Sequence, residues 1–165
     1  MRQNLIKKVF ERCLSILVFI FPFVELSYYF GAKVFLSTDN LLFKSFYINS
    51  IQKLTNFYGA NVYLIFILMV SIFLACSRGT MPLSDYARLN IIQAILINII
   101  CSCLGSSYSF LPIVLRESFL GILFANYLYL GLILLITYSS LLILYGRIPS
   151  IPVITEAAKM QVQRR

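Results

Sequence analysis

The chain contains no histidine and only six acidic residues in 165. Without an imidazole, general acid–base chemistry would rest on Glu25, the one carboxylate deep in an apolar segment. There is no glycine-rich phosphate loop, no Cys-x-x-Cys pair and no nucleophile elbow, so phosphoryl transfer, dithiol redox chemistry and serine hydrolysis lack their usual residues. The expectation is a protein that is not an enzyme, with no catalytic residues, no metal and no cofactor. Four cysteines (Cys13, Cys76, Cys101, Cys103) lie in or beside apolar stretches without framework spacing and read as small apolar residues. Cys101 and Cys103 stand about 200° apart on a helix and cannot chelate from one face.

Charge is also scarce. Charged residues make up 12% of the chain, where a soluble domain carries about 25%. Hydrophobic residues make up 60%, and the mean hydropathy is +0.87. Together these values specify an all-α membrane protein forming a single membrane domain over residues 1–165. The formal charge of +8 would suggest nucleic acid in a soluble chain. Here the basic residues flank apolar segments, which points to membrane orientation and lipid headgroups rather than nucleic acid.

Residues 1–13 place Leu5, Ile6, Val9, Phe10 and Cys13 opposite Arg2, Lys7, Lys8, Glu11 and Arg12, the pattern of an amphipathic lead-in lying on a membrane surface. A first span follows over about 14–35. Pro22 is expected to kink it, and bulky residues after Glu25 leave no small-residue cleavage site. Residues 37–58 are too polar to span. Phe43, Tyr47, Ile51, Leu54 and Tyr58 share a face, so an interfacial helix is expected, with Ser37-Thr38-Asp39-Asn40 as its cap region. Further spans are expected over about 62–76, 87–104 and 119–145, with a loop over 105–117. Gly121 and Ala125 offer a small-xxx-small contact, with Asn126 beside it. Residues 146–165 read as an extended tail, held by Pro149 and Pro152, then a short helix. Thr155 is expected as its N-cap, with Glu156 in its first turn and Arg164–Arg165 in its last.

Lysine and arginine set the orientation. The lead-in holds four, the turn over 77–88 two and the tail four, against three and one in the other two connectors. Ten against four places both termini on the positive, stromal or cytoplasmic side of four transmembrane helices.

The third span, YARLNIIQAILINIICSCLG, carries a polar stripe. Asn90, Ala94, Asn98 and Ser102 follow one another at i+4, and Gln93 lies about 60° aside. Unpaired amides cost several kcal/mol in hydrocarbon, so the stripe must face protein or water. Ile92, Leu96, Ile99, Ile100 and Cys103 form the opposite face, suited to lipid tails. Two readings stand: hydrogen-bonded glue between helices, or the lining of a path. Glu25 is open to the same choice. Arg78 and Arg88 read as topology anchors or as contacts to a partner.

Three patches, SILVFIFPFVELSYYFG, YARLNIIQAILIN and GRIPSIPVITEAAKMQV, resemble the twenty-kilodalton subunit family of the translocon at the inner envelope membrane of chloroplasts. Arg88, Asn90, Gln93 and Ala94 match its R-aromatic-N-x-x-Q-A pattern, with Leu89 in place of the aromatic. Gly146, Pro149, Ile151, Pro152, Ile154, Glu156, Ala157 and Ala158 match its tail, with Thr155 in place of serine. Pro22 and Glu25 match its first helix. The resemblance implies four spans, stromal termini and a part in admitting preproteins into plastids. Its implied partners are other translocon subunits, copies of itself, unfolded preproteins in transit and membrane lipids. The expected location is the plastid inner envelope, or the cytoplasmic membrane for a cyanobacterial chain. An AT-rich residue usage and a family-like region beginning near Met1 suggest a plastid-encoded algal copy. On this reading Glu25, Asn90, Gln93, Asn98, Ser102 and Asn126 are candidate path or helix-contact residues. A non-conducting scaffold and a small-solute transporter are the competing readings; no internal repeat supports the second.

Overall fold

A computed structural model describes residues 2–37 and 40–163, with side chains for 6–37 and 40–162. Thr38 and Asp39 of the expected cap region, and Arg164–Arg165 of the tail, lie outside the described residues, as do the side chains of Arg2 and Leu5 in the lead-in. Every regular element among the described residues is helical.

The N-terminal helix α1 (Arg2–Val18) passes Cys13 without a break, so lead-in and span form one helical unit, Ile6–Leu36. The interruption comes at Phe19 instead, before α2 (Ile20–Leu26). Pro22 explains the position: it has no N–H for the carbonyl of Val18, and its ring crowds that carbonyl. A π-helical turn, Ser27–Gly31, then leads into α3 (Ala32–Leu36).

Asn40 caps α4 (Leu41–Phe46) by accepting from the Leu42 N–H at 2.9 Å. A second π turn, Tyr47–Ile51, joins it to α5 (Gln52–Ala60). The extra residue in that turn shifts the buried face. Tyr47, Ile51, Thr55 and Tyr58 are buried, whereas Leu54 and Phe43, expected on the same face, are exposed. Helix α6 (Val62–Arg78) leaves at 82° to Leu41–Ala60. If α6 runs along the membrane normal, α4–α5 therefore lies along the surface. Gly79 ends α6 at φ +64°, a left-handed position that spares glycine the Cβ clash, and the Thr80 N–H bonds back to Ala75.

Ser84 caps α7 (Asp85–Ser109) by accepting from the Ala87 N–H at 3.3 Å. This helix continues past the expected end of its span, taking in residues assigned to a loop; α8 (Ile113–Arg116) follows. Ser118 caps α9 (Phe119–Leu144), and Gly146 (φ +75°) terminates it. Helix α10 (Ile154–Gln163) closes the chain.

Three helical units, Ile6–Leu36, Asp85–Ser109 and Phe119–Leu144, are long and apolar enough to cross a bilayer, and the bent pair Leu41–Ala60 with Val62–Arg78 makes up to four. Helix α7 is the centre: it packs against α1, α2, α6 and α10, and residues 87–95 are buried on all sides. That is why Ile92, expected to meet lipid, is fully buried. Gly121 does not seat a neighbouring span as its spacing suggested. A Cβ there would strike the Leu115 carbonyl in the turn before α9, while Ala125 alone enters the core.

Candidate functional site

The polar stripe of α7 divides into two parts with different surroundings. Its first part meets the chain's own tail. The Gln93 Nε2 donates to the Thr155 Oγ1 (2.9 Å) and to the Pro149 carbonyl (3.2 Å). Thr155 in turn donates to the Pro149 carbonyl (3.0 Å) and accepts from the Ile151 N–H (2.8 Å). A hydroxyl has one donor and two acceptor sites, and all three are filled. Thr155 therefore sits inside the first turn of α10, which begins at Ile154, rather than at the expected cap. The reason is geometric: Val153 at φ +67° turns the chain so that the hydroxyl points at Gln93. Pro149 is fully buried, whereas Pro152 and Glu156 are exposed. Asn90, one turn from Gln93, is fully buried and neither amide atom has a protein partner; Gln93 Oε1 also lacks one.

Helix ends converge beside this lock. Arg88 is only 3% exposed; its Nε donates to the Cys76 carbonyl (2.8 Å), its Nη2 to Ser77 (3.4 Å) and its Nη1 to Asp85 (2.8 Å). It thereby satisfies carbonyls that the end of α6 leaves open. Arg78, exposed, belongs to the same helix end. Glu11, expected on the solvent face of a surface helix, is instead buried, accepting from the Ser84 N–H (3.1 Å) and hydroxyl (2.5 Å). A carboxylate there faces the positive end of α7. The Arg12 Nη1 reaches the Leu144 carbonyl (3.4 Å), and the Tyr86 hydroxyl reaches that of Ile143 (3.1 Å). The N-terminal helix, the end of α9 and α10 thus meet at one end of the bundle.

The second part of the stripe faces a groove of about 540 Å³ bounded by α2 and its π turn, by α5 and α6, and by α7. Glu25, Asn98 and Ser102 line it together; Gln93, Asn90 and Asn126 do not. Glu25 is 3% exposed and Asn98 7%, and neither Glu25 Oε2 nor Asn98 Oδ1 has a hydrogen-bond partner among the described residues. The rest of the wall is aromatic and apolar. Tyr28 stands 5.2 Å from Tyr29 and 5.7 Å from Tyr58 between ring centroids, with Tyr63 and Phe66 across the opening on α6. Leu96, Ile99 and Cys103, expected to meet lipid tails, line the same groove. Asn126 lies apart on α9, and its Oδ1 is also without a partner.

Periodicity found Asn98 and Ser102, and the lone carboxylate in an apolar segment pointed to Glu25, but neither signal gave the tyrosines or Glu11. The run Tyr28-Tyr29, three residues past a membrane carboxylate, was the available signal for the former. Glu11 carried none, since its partner Ser84 lies 73 positions away.

The groove, the lock and the central helix are accompanied by clear similarity to known proteins. The family model described as chloroplast import apparatus Tic20-like matches residues 6–158. The Tic20 family protein Ycf60 of Cyanidium caldarium is 28% identical over 153 residues, 93% of this chain and 74% of that protein. Its namesake in Gracilaria tenuistipitata var. liui is 28% identical over 159 residues, covering 95% of this chain and 78% of the relative. That of Pyropia yezoensis is 33% identical over 86 residues, 52% of this chain and 42% of the relative. With a match running through all the spans and into the tail, this chain belongs to the Tic20-like family of the chloroplast import apparatus.

Proposed function

We propose that this protein is a subunit of the protein-import translocon of the plastid inner envelope, and that the groove between α2, α6 and α7 is its contribution to the preprotein path. One observation carries the reading: Glu25 and Asn98, whose Oε2 and Oδ1 are buried without a partner among the described residues, both line an aromatic-walled groove. A polar atom left so in hydrocarbon costs several kcal/mol, so its partner is water or a visiting chain. An unfolded preprotein carries backbone N–H groups at every turn of its passage and exchanges them along such a row. Ser102 adds a hydroxyl to the row, and the tyrosine faces take apolar side chains. The groove opens laterally and is lined on three sides only, so other subunits or a second copy complete the path.

The scaffold reading draws on a different observation, the Gln93–Thr155–Pro149 lock, which spends part of the stripe on internal structure. Crosslinking separates the two. A photoreactive residue is placed at Asn98, with Leu134 on the exposed face of α9 as control, and a preprotein is stalled mid-transit. Capture of the preprotein from position 98 and not from 134 is the expected result. Capture of neighbouring membrane subunits alone from position 98 would overturn the path reading in favour of the scaffold. Neither position falls in the tail lock, so accumulation of both variants is expected to match the wild type.

A further inference from the structure

We infer that the groove is selective for arginine side chains of the passing chain, with Glu25 as their counter-charge. This rests on the path reading above and names what that path recognises. Glu25 and Asn98 both line the groove, and Glu25 Oε2 and Asn98 Oδ1 have no partner among the described residues; an amide oxygen accepts, as does an ionised carboxylate, so the guest that completes both is a donor. One of the two belongs to a carboxyl group, so the donor that completes it best is a cation. Among the described residues no lysine or arginine lines the groove, and Glu25 belongs to neither of the ion pairs Lys33–Glu117 and Arg88–Asp85. The surrounding rings narrow the choice. Tyr28, Tyr29 and Tyr58 form a contiguous cluster beside Glu25, and a guanidinium both stacks on such faces and presents a planar fork of N–H donors to two acceptors.

The same chemistry disfavours a choline-lipid occupant. A quaternary ammonium headgroup meets tyrosine faces well but has no N–H, and would leave both acceptors as they are. Chains destined for plastids are rich in arginine and poor in acids, so they present the required group repeatedly. Glu25 would then hold each arginine briefly while Asn98 and Ser102 keep the backbone solvated. A site of this kind must release its guest, and a single carboxylate in a groove open along its length meets that condition.

The test keeps the membrane protein intact and varies the guest. A photoreactive residue replaces Phe66, which lines the groove from α6 and is 63% exposed. Two preproteins are stalled so that one position lies opposite the groove, occupied by arginine in one and glutamine in the other. Capture of the arginine form is expected to exceed that of the glutamine form by about tenfold. In a Glu25→Gln background that difference should collapse, and in Glu25→Asp it should largely persist. Equal capture of both guests in the wild-type background overturns the arginine inference and leaves the path reading standing. Capture of neither overturns both, and so does capture only of an arginine-bearing membrane subunit seated in the groove. The arginine-to-glutamine change sits in the preprotein, so misfolding of a variant translocon subunit cannot mimic the result.

Discussion

Thr155 shows how much one hydroxyl can hold. Replacing it with valine keeps the shape but takes the bond from the Ile151 N–H and leaves the Gln93 amide and the Pro149 carbonyl with only their direct 3.2 Å bond. A buried unsatisfied group costs about 1–3 kcal/mol. Thr155→Val is thus expected to lower the unfolding midpoint in detergent and to speed alkylation of the buried Cys101 thiol, while Thr155→Ser changes neither. Gly105 is a steric counterpart. A Cβ there would collide with the Tyr29 ring, so Gly105→Ala should destabilise by about 1–3 kcal/mol and displace a wall of the groove. At the opposite end, the Lys33 ammonium, 2.6 Å away, holds the exposed Glu117 carboxyl below its ordinary value of 4.5. A carboxyl depressed in the folded state adds stability above its ordinary value and loses it as the pH falls through the depressed one. The Lys33 and Glu117 side chains should therefore lose their contact only on acidification below the ordinary carboxylate range, read as the Glu117 titration, and Lys33→Gln should bring that titration back up.

Among elements, α6 depends most on a neighbour. Its 17 residues span only about 25 Å, less than the roughly 30 Å hydrocarbon core. Its last carbonyls are satisfied by Arg88 from α7. Arg88→Leu would leave the Cys76 carbonyl only its 3.3 Å bond from the Gly79 N–H and take away the Arg88 bond to the Ser77 carbonyl, and is expected to cost about 1–3 kcal/mol, read as lost protein in the membrane and faster cleavage at the 79–84 turn. Arg88→Lys, a single-point donor, should recover only part of this. Much at this scale is legible in sequence. Caps at Asn40, Ser84 and Ser118 and left-handed glycines at 79 and 146 follow from local chemistry. The break at Phe19 is legible too once Pro22 is read back four residues. The π turn at Tyr47–Ile51 is not, because a side chain is moved from Leu54 to Thr55 by packing against α3, where Phe35 stacks on Tyr47 at 5.4 Å.

Across the whole molecule, the bundle has one end where helix termini are tied by charged and polar side chains and a flank where a groove stays open. The first end gathers Glu11, Arg12, Arg88 and the tail. Tags fused at both termini are expected to be digested together when the stromal face is opened and to survive together when it is sealed; opposite fates would refute the shared side. The groove prediction belongs to this scale as well, since its three walls come from segments separated by tens of residues.

Hydropathy and the 3.6-residue period were enough to establish an all-helical chain with three to four helices apolar enough to cross a membrane, and the polar stripe on the helix at its centre. These are local properties: burial of an apolar helix and the angle between its side chains depend on a few neighbouring residues. Which stripe residues are structural and which are available was decided only in three dimensions. Gln93 and Asn98 differ by five positions on one helix, yet one is gripped by a tail 62 residues away and the other faces an open groove. Periodicity gives the direction in which a side chain points, but the element standing there depends on how distant segments return, and that is set by the packing of the whole chain.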